Sequence, residues 1–372
     1  MAACSPRSPA PPQPELVGEP LGAWRATSEQ AYARNLWDLQ TYRGRLYLGY
    51  GDAITNTGPT DVIAFDPARR AFEHETTLPE EAILTYHVFG DRLVVPGVDA
   101  VDSDDGALYI RDAAGWTRIP LPQAAHALDV AVRGAEICVV VQDRQAGGVV
   151  RCTGDTGATW RTYPTASWRA VSLFELGGEL YVSSHDSGVR RVDGGRVAFV
   201  IPGVTDDGNV LVRHPTGCGD EVVFMAVRVR YEHDSAQVDA LGLFRASAGP
   251  GGAIAVARIE LPGTPADVFA HDGRCYAVTN HPRGDAFDVA IHESTDNRTW
   301  RPRASFTADA MARSGELLGG YFYVGLGCEL GRCTPAAGRL LRIAAAVTTA
   351  GAAARNTAIA AAGPLSVEHD AD

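Results

Sequence analysis

The sequence predicts an all-β chain folded as a seven-bladed β-propeller closed by an N-terminal outer strand, and three observations carry that prediction. A strand-turn-strand pattern recurs along the chain. Its first copy runs from Leu36 to Asp52, where apolar residues Leu36, Trp37, Leu39 and Tyr42 reach a turn at Arg43 and Gly44 and Leu46, Tyr47 and Leu48 leave it. The turn glycines Gly44, Gly90, Gly134, Gly178, Gly219, Gly273 and Gly320 lie 46, 44, 44, 41, 54 and 47 residues apart, the period of a propeller blade. With Gly 40 and Pro 22 punctuating short apolar runs, no stretch sustains a helical period.

Each later copy supplies the two inner strands of a blade: residues 84–97, 126–141, 170–184, 210–226, 266–279 and 312–327. The outer two strands follow. They read DVIAFDP and AFEHETTL after the first hairpin, GALYIRD and GWTRIPLP after the second, GVVRCTGD and ATWRTYP after the third, and FDVAIHESTD and RTWRPRASF after the sixth. Trp116, Trp160 and Trp300 mark the start of an outermost strand. After the seventh hairpin only one further strand, residues 339–344, is available, so blade seven lacks its fourth. Gly22 to Thr27, GAWRAT, carries the Trp-Arg signature of the outermost strands and is expected to complete that blade, leaving no open sheet edge at the seam.

The propeller is thereby assigned to residues 15–345. Residues 1–14 hold a Ser/Pro run that cannot pack a core, and residues 346–372 form an Ala-rich tail with no periodic face. Ala2, Ala3 and Cys4, followed by that run, resemble the end of a bacterial lipoprotein signal. The resemblance implies lipidation at Cys4, a flexible tether and an extracytoplasmic chain attached to a membrane only through its lipid.

A formal charge of -12 argues against a basic nucleic-acid surface. All 33 basic residues are Arg, which excludes a Schiff-base lysine and a phosphate-loop lysine. Apart from Cys4, six cysteines remain, an even number that suits three disulfides in an oxidising compartment. Cys138 and Cys152 fall on adjacent strands of blade three, Cys218 and Cys275 near the same turn level of neighbouring blades, and Cys328 and Cys333 close the short CELGRC loop. Neighbourhood favours those pairs, although six cysteines allow about fifteen connectivities. The alternatives are unpaired thiols and, at CELGRC, a zinc site.

Thr153, Asp155, Gly157, Thr159 and Trp160 in blade three, with Ser294, Asp296, Thr299 and Trp300 in blade six, resemble the Asp box of sialidase-like propellers. The resemblance implies a turn braced by the Asp carboxylate, remote from the catalytic centre. It also implies an alternative function, a glycan-processing hydrolase or lyase. Sialidases use three arginines to hold the substrate carboxylate and a Tyr nucleophile, and Arg169, Arg213, Arg313 and Tyr323 are the residues here that could take those roles.

Asp38, Asp129 and Asp267 recur on the innermost strands, which line the central channel. Such carboxylates tie the backbone N–H groups of a neighbouring blade; the competing role is to hold a hard cation such as calcium. His87 and His126 beside Asp129 suggest a metal or acid-base pair, against satisfied structural histidines. The strand-one ends and the loops joining strands two and three gather Trp37, Tyr86, His126, Trp168, His185, Asn209, Tyr231 and His281 on one face. Aromatic faces with polar neighbours suit sugars or peptides. The expected function is a monomeric, non-enzymatic, extracytoplasmic propeller that binds a glycan or protein ligand there, through Trp37, Asp38, Tyr86, His126, Asp129, Trp168 and Asp267, without a required cofactor.

Overall fold

The computed structural model describes residues 13–21, 31–52, 57–101, 105–185, 188–194, 197, 199–205, 209–232, 235–249, 253–329 and 332–345. Cys4 and the tail 346–372 lie outside them. Innermost strands run at Asp38–Tyr42, His87–Phe89, Ala124–Arg133, Ala170–Leu176, Val210–Cys218, Thr264–His271 and Met311–Leu318, one for each of seven blades. Every one pairs antiparallel with the strand that follows it in the chain. The turns between them need a backbone conformation that side chains resist; Gly44 and Gly320, at φ 75° and 80°, supply it.

Both faces of each blade are covered by its neighbours, so successive residues of one strand enter different cores. In blade two Leu93 and Val95 pack toward blade one with Tyr47 and Val62, while Val94 packs toward blade three with Val130 and Val139. Each of the seven seams has its own buried apolar cluster of this kind. Three short additions break the repeat. Glu80–Ala82 pairs with Val98–Ala100, which joins the inner edge of blade three at Val98 and His126, and Gly51 bridges to Ala82.

The ring closes on an N-terminal strand, but that strand is Glu15–Gly18. It pairs antiparallel with Leu340–Ala344 as the outermost strand of blade seven. Gly22–Thr27, the segment the Trp-Arg signature singled out, lies outside the described residues. Charge fixes the shorter closing strand: Glu15 accepts from Arg342 at 2.8 Å on its own blade and pairs with Arg70 of blade one, and Glu19 accepts from Arg339 at 2.6 Å. Arg342 and Arg70 hold the Glu15 carboxyl below its ordinary range, Arg342 most strongly.

In blade three the Asp155 carboxylate accepts from the Thr159 N–H at 2.9 Å and the Thr159 hydroxyl at 2.6 Å. Asp296 accepts from Thr299 N–H at 2.7 Å in blade six. These loops therefore carry their own internal acceptors, as buried or tight turns require.

All six cysteines described are paired: Cys138–Cys152 within blade three, Cys218–Cys275 across the seam between blades five and six, and Cys328–Cys333 within a blade-seven loop. The bridge across the seam spans 57 residues of sequence against 14 for the one in blade three. Chain entropy alone then assigns them about 4 and about 3 kcal/mol. Guanidinium unfolding of the double variants should show Cys218→Ala/Cys275→Ala as the costlier; an equal or reversed order would mean that the bridge does not hold that seam.

Candidate functional site

The innermost strands of all seven blades surround a central cavity of about 460 Å³ whose lining includes Asp38, His87, Asp129, Ser172, Arg213, His214, Asp267 and Glu316. Their placement begins with an irregularity of the backbone. The pairing register slips between Ala127 and Asp129, Ala170 and Ser172, Pro265 and Asp267, and Ala312 and Ser314, so blades three, four, six and seven each carry an extra residue at corresponding positions. A bulge of this kind bends the strand and re-aims the side chains that follow. Here it lets a polar side chain reach the next blade.

Every seam is crossed at this level. Asp38 accepts from Tyr86 N–H at 2.6 Å, Asp129 from Leu173 N–H at 2.8 Å and Asp267 from Gly315 N–H at 2.8 Å, while Glu316 closes the ring by accepting from Thr41 N–H at 3.2 Å. Blade four reaches blade five through the Ser172 hydroxyl, which donates to Val212 O at 2.7 Å, and Ser183, which accepts from Val212 N–H at 3.1 Å. Thr216 donates to Val268 O at 2.9 Å between blades five and six, and His87 Nε2 lies 2.7 Å from Asp129 Oδ1 between blades two and three. His214 Nδ1 similarly lies 3.1 Å from Asp267 Oδ1.

The aspartates thus tie neighbouring backbones, as their recurrence suggested. Among the described residues no group of three or more His, Cys, Asp or Glu is arranged to hold a metal ion. Charge in the channel is nonetheless unevenly compensated. Burial, with the negative charge of Asp267, pushes Asp38 up to about 6 despite the Tyr86 N–H and the nearby histidines. Burial pushes Glu316 up to about 8 against two backbone N–H donors, with Asp38 and Asp267 adding to the rise. Burial also disfavours the His87 imidazolium, but the hydrogen bond and charge of Asp129 and the charge of Asp38 more than offset it, and its pKa is raised.

The residues selected from sequence divide into groups. Asp38, Tyr86, Asp129, Asp267 and Arg213 line the cavity; Arg169, Arg313 and Tyr323 do not. Tyr323 stands on the second strand of blade seven, so its ring enters the seam with blade one, 1% exposed and 5.9 Å from Phe65. Arg313 lies 5.2 Å over the Trp37 ring and donates to Asn35 Oδ1, while Arg169 lies 6.0 Å from Trp168. The arginines and tyrosine of the sialidase-type alternative therefore do not converge in one cavity.

At the strand-one end, Trp37 is fixed by its own Nε1–H to Gly51 O at 2.8 Å and by the edge of Tyr32 at 5.2 Å. His126 pairs with Asp99 at 2.5 Å in the added strands, beside Glu81, which burial and the charges of Asp99 and Asp52 push up to about 7. Trp168 is different: 44% exposed, it stacks on His185 at 5.1 Å and 25°. Sequence reading passed over Tyr32, His214 and Glu316. Glu316 lies four residues before its turn glycine, where Asp38 and Asp267 lie six before theirs, and its contact with Thr41 N–H is shifted toward the turn in the same way. An acidic residue on an inner strand, offset from the recurrent aspartates, was the available signal.

The fold and channel together define a seven-bladed β-propeller with a polar belt around its axis. Solved structures with the same fold include virginiamycin B lyase from Staphylococcus aureus, at TM-score 0.55 and 11% identity over 85% of this chain and 96% of that one. A catalytically inactive variant of that lyase with quinupristin superposes at 0.53, again with 11% identity over 85% and 96%. The β-propeller domain of the Trilobed protease from Pyrococcus furiosus gives 0.48 at 8% identity, over 86% and 97%. No protein-family model and no curated protein sequence matches the chain. At these identities the likeness concerns the fold alone.

Asp129→Ala would leave the Leu173 and Val130 N–H groups and His87 without their acceptor. At roughly 1–3 kcal/mol for each orphaned buried group, chemical denaturation should show a loss of several kcal/mol. Asp129→Asn, which keeps one carbonyl oxygen, should recover part of it. Wild-type stability in the alanine variant would remove the belt from any account of the fold.

Proposed function

We propose that this chain is an extracytoplasmic binding propeller that takes a glycan at the strand-one mouth of its channel, with Trp168 as the stacking surface. The observation that carries the reading is the Trp168–His185 pair. A half-exposed indole already oriented by a ring beneath it offers a flat apolar face at little entropic cost, with polar groups nearby to select hydroxyls. Trp37 and His126 frame the same mouth, and the carboxylates below supply acceptors to a group reaching inward. Three disulfides agree with an oxidising compartment. Attachment through a lipidated Cys4 and a monomeric state belong to the same proposal.

A second reading, a glycan-processing enzyme, has a specific observation in its favour. Two imidazoles, each paired with a carboxylate, share one cavity with Arg213 and with Asp38, whose carboxyl is raised to about 6.

Two measurements separate these readings. On a glycan array the wild-type protein should be retained, and Trp168→Ala should weaken retention by tenfold or more, the scale of a central aromatic contact at about 2 kcal/mol. Retention unaffected by that substitution would end the stacking role, and an array with no retained glycan would end the glycan reading. Turnover of fluorogenic glycosides that falls to background in Asp38→Asn would establish the enzyme instead.

A further inference from the structure

The seam between blades seven and one differs from the other six because the two blades come from opposite ends of the chain. At its outer edge the closing strand Glu15–Gly18 lies beside Leu340–Ala344. At the channel edge the carboxylate that crosses is Glu316, 4% exposed, which accepts from Thr41 N–H of blade one at 3.2 Å and from its own Leu317 N–H at 2.7 Å. The Gln40 amide lies 3.5 Å away. Two of the other belt carboxylates face an imidazole, Asp129 meeting His87 and Asp267 meeting His214. The charges that act most strongly on Glu316 are Asp38 from blade one and Asp267 from blade six, both acids, in a cavity whose wall also holds His87, His214 and Arg213. Its negative form therefore stands in a buried wall beside two more negative charges.

We propose that Glu316 is a proton-operated bolt for the ring: with its proton in place the channel edge of the closing seam is shut, and loss of that proton loosens blade seven from blade one. The geometry gives the direction. An uncharged carboxyl keeps its carbonyl oxygen at one of the two amides and removes the repulsion from Asp38 and Asp267, which with burial outweighs the two N–H bonds that favour the charged form; the carboxylate gains by leaving for water. Glu316 is raised from an ordinary 4.5 to about 8, so the stability it contributes is complete below about 4.5 and is lost as pH rises through about 8. Asp38, raised from 3.8 to about 6, acts in the same direction over a lower window. The bolt thus opens on the alkaline side of neutrality.

Hydrogen exchange of the full chain, corrected for the intrinsic pH dependence of exchange, tests this at pH 6 and pH 9. Peptides containing Thr41 and Leu317 should lose protection at least tenfold between the two, while those containing Leu173, held by Asp129 at the seam between blades three and four, keep theirs. In Glu316→Gln, whose single oxygen serves one of the two amides and carries no charge, the protection of Thr41 and Leu317 should be the same at both pH values. Uniform loss at all seams, unchanged protection in the wild type, or a pH-dependent loss that persists in the glutamine variant would each overturn the proposal. The wild-type comparison between seams decides alone should the variant fail to fold.

Discussion

A polar side chain that crosses from one blade to the backbone of the next is the contact on which this ring depends. Apolar packing between sheets is strong but indifferent to small slips along the strand; a carboxylate bonded to one particular N–H is not. Asp38 on Tyr86, Asp129 on Leu173, Asp267 on Gly315 and Glu316 on Thr41 each fix the height at which two blades meet. Where a carboxylate is missing, a hydroxyl or an imidazole takes its place. The chemistry varies around the axis while the task is constant.

That arrangement makes the channel a structural centre with a polar wall. The bulged inner strands that let polar residues reach sideways also leave them in the wall of a cavity. Groups committed to backbone donors are held rigidly, which is what a binding or proton-transfer site requires of its parts. The same commitment limits their freedom to take up a cation. Trp168, by contrast, is half-exposed and stacked on His185.

Much of the fold was legible because its signal is local. A turn glycine, the strand before it and the strand after it lie within one short window, and seven repetitions of that window define the ring. The cysteine pairs followed once neighbouring strands and blades were placed. What escaped the sequence is long-range or lacks a pattern. Glu15–Gly18 is four residues long and pairs with strand Leu340–Ala344, more than 300 positions away, so nothing local distinguished it from Gly22–Thr27. Tyr323 was open to a channel role because blades buried on both faces show no polar-apolar alternation to say which way a residue points. The added strands Glu80–Ala82 and Val98–Ala100, three residues each, are too short for any periodicity to show. In the site, the recurrent aspartates were legible by position, whereas Glu316 was hidden by its shift toward the turn.

The bridge between Cys218 and Cys275 makes the seven seams mechanically unequal. A ring without it could part at any joint with similar ease, and a blade could in principle be exchanged with that of another molecule. With blades five and six covalently joined, rupture is diverted to joints held by packing and hydrogen bonds, among them the one where the chain's two ends meet. The molecule therefore resembles a bracelet with a soldered link, whose clasp lies two blades away.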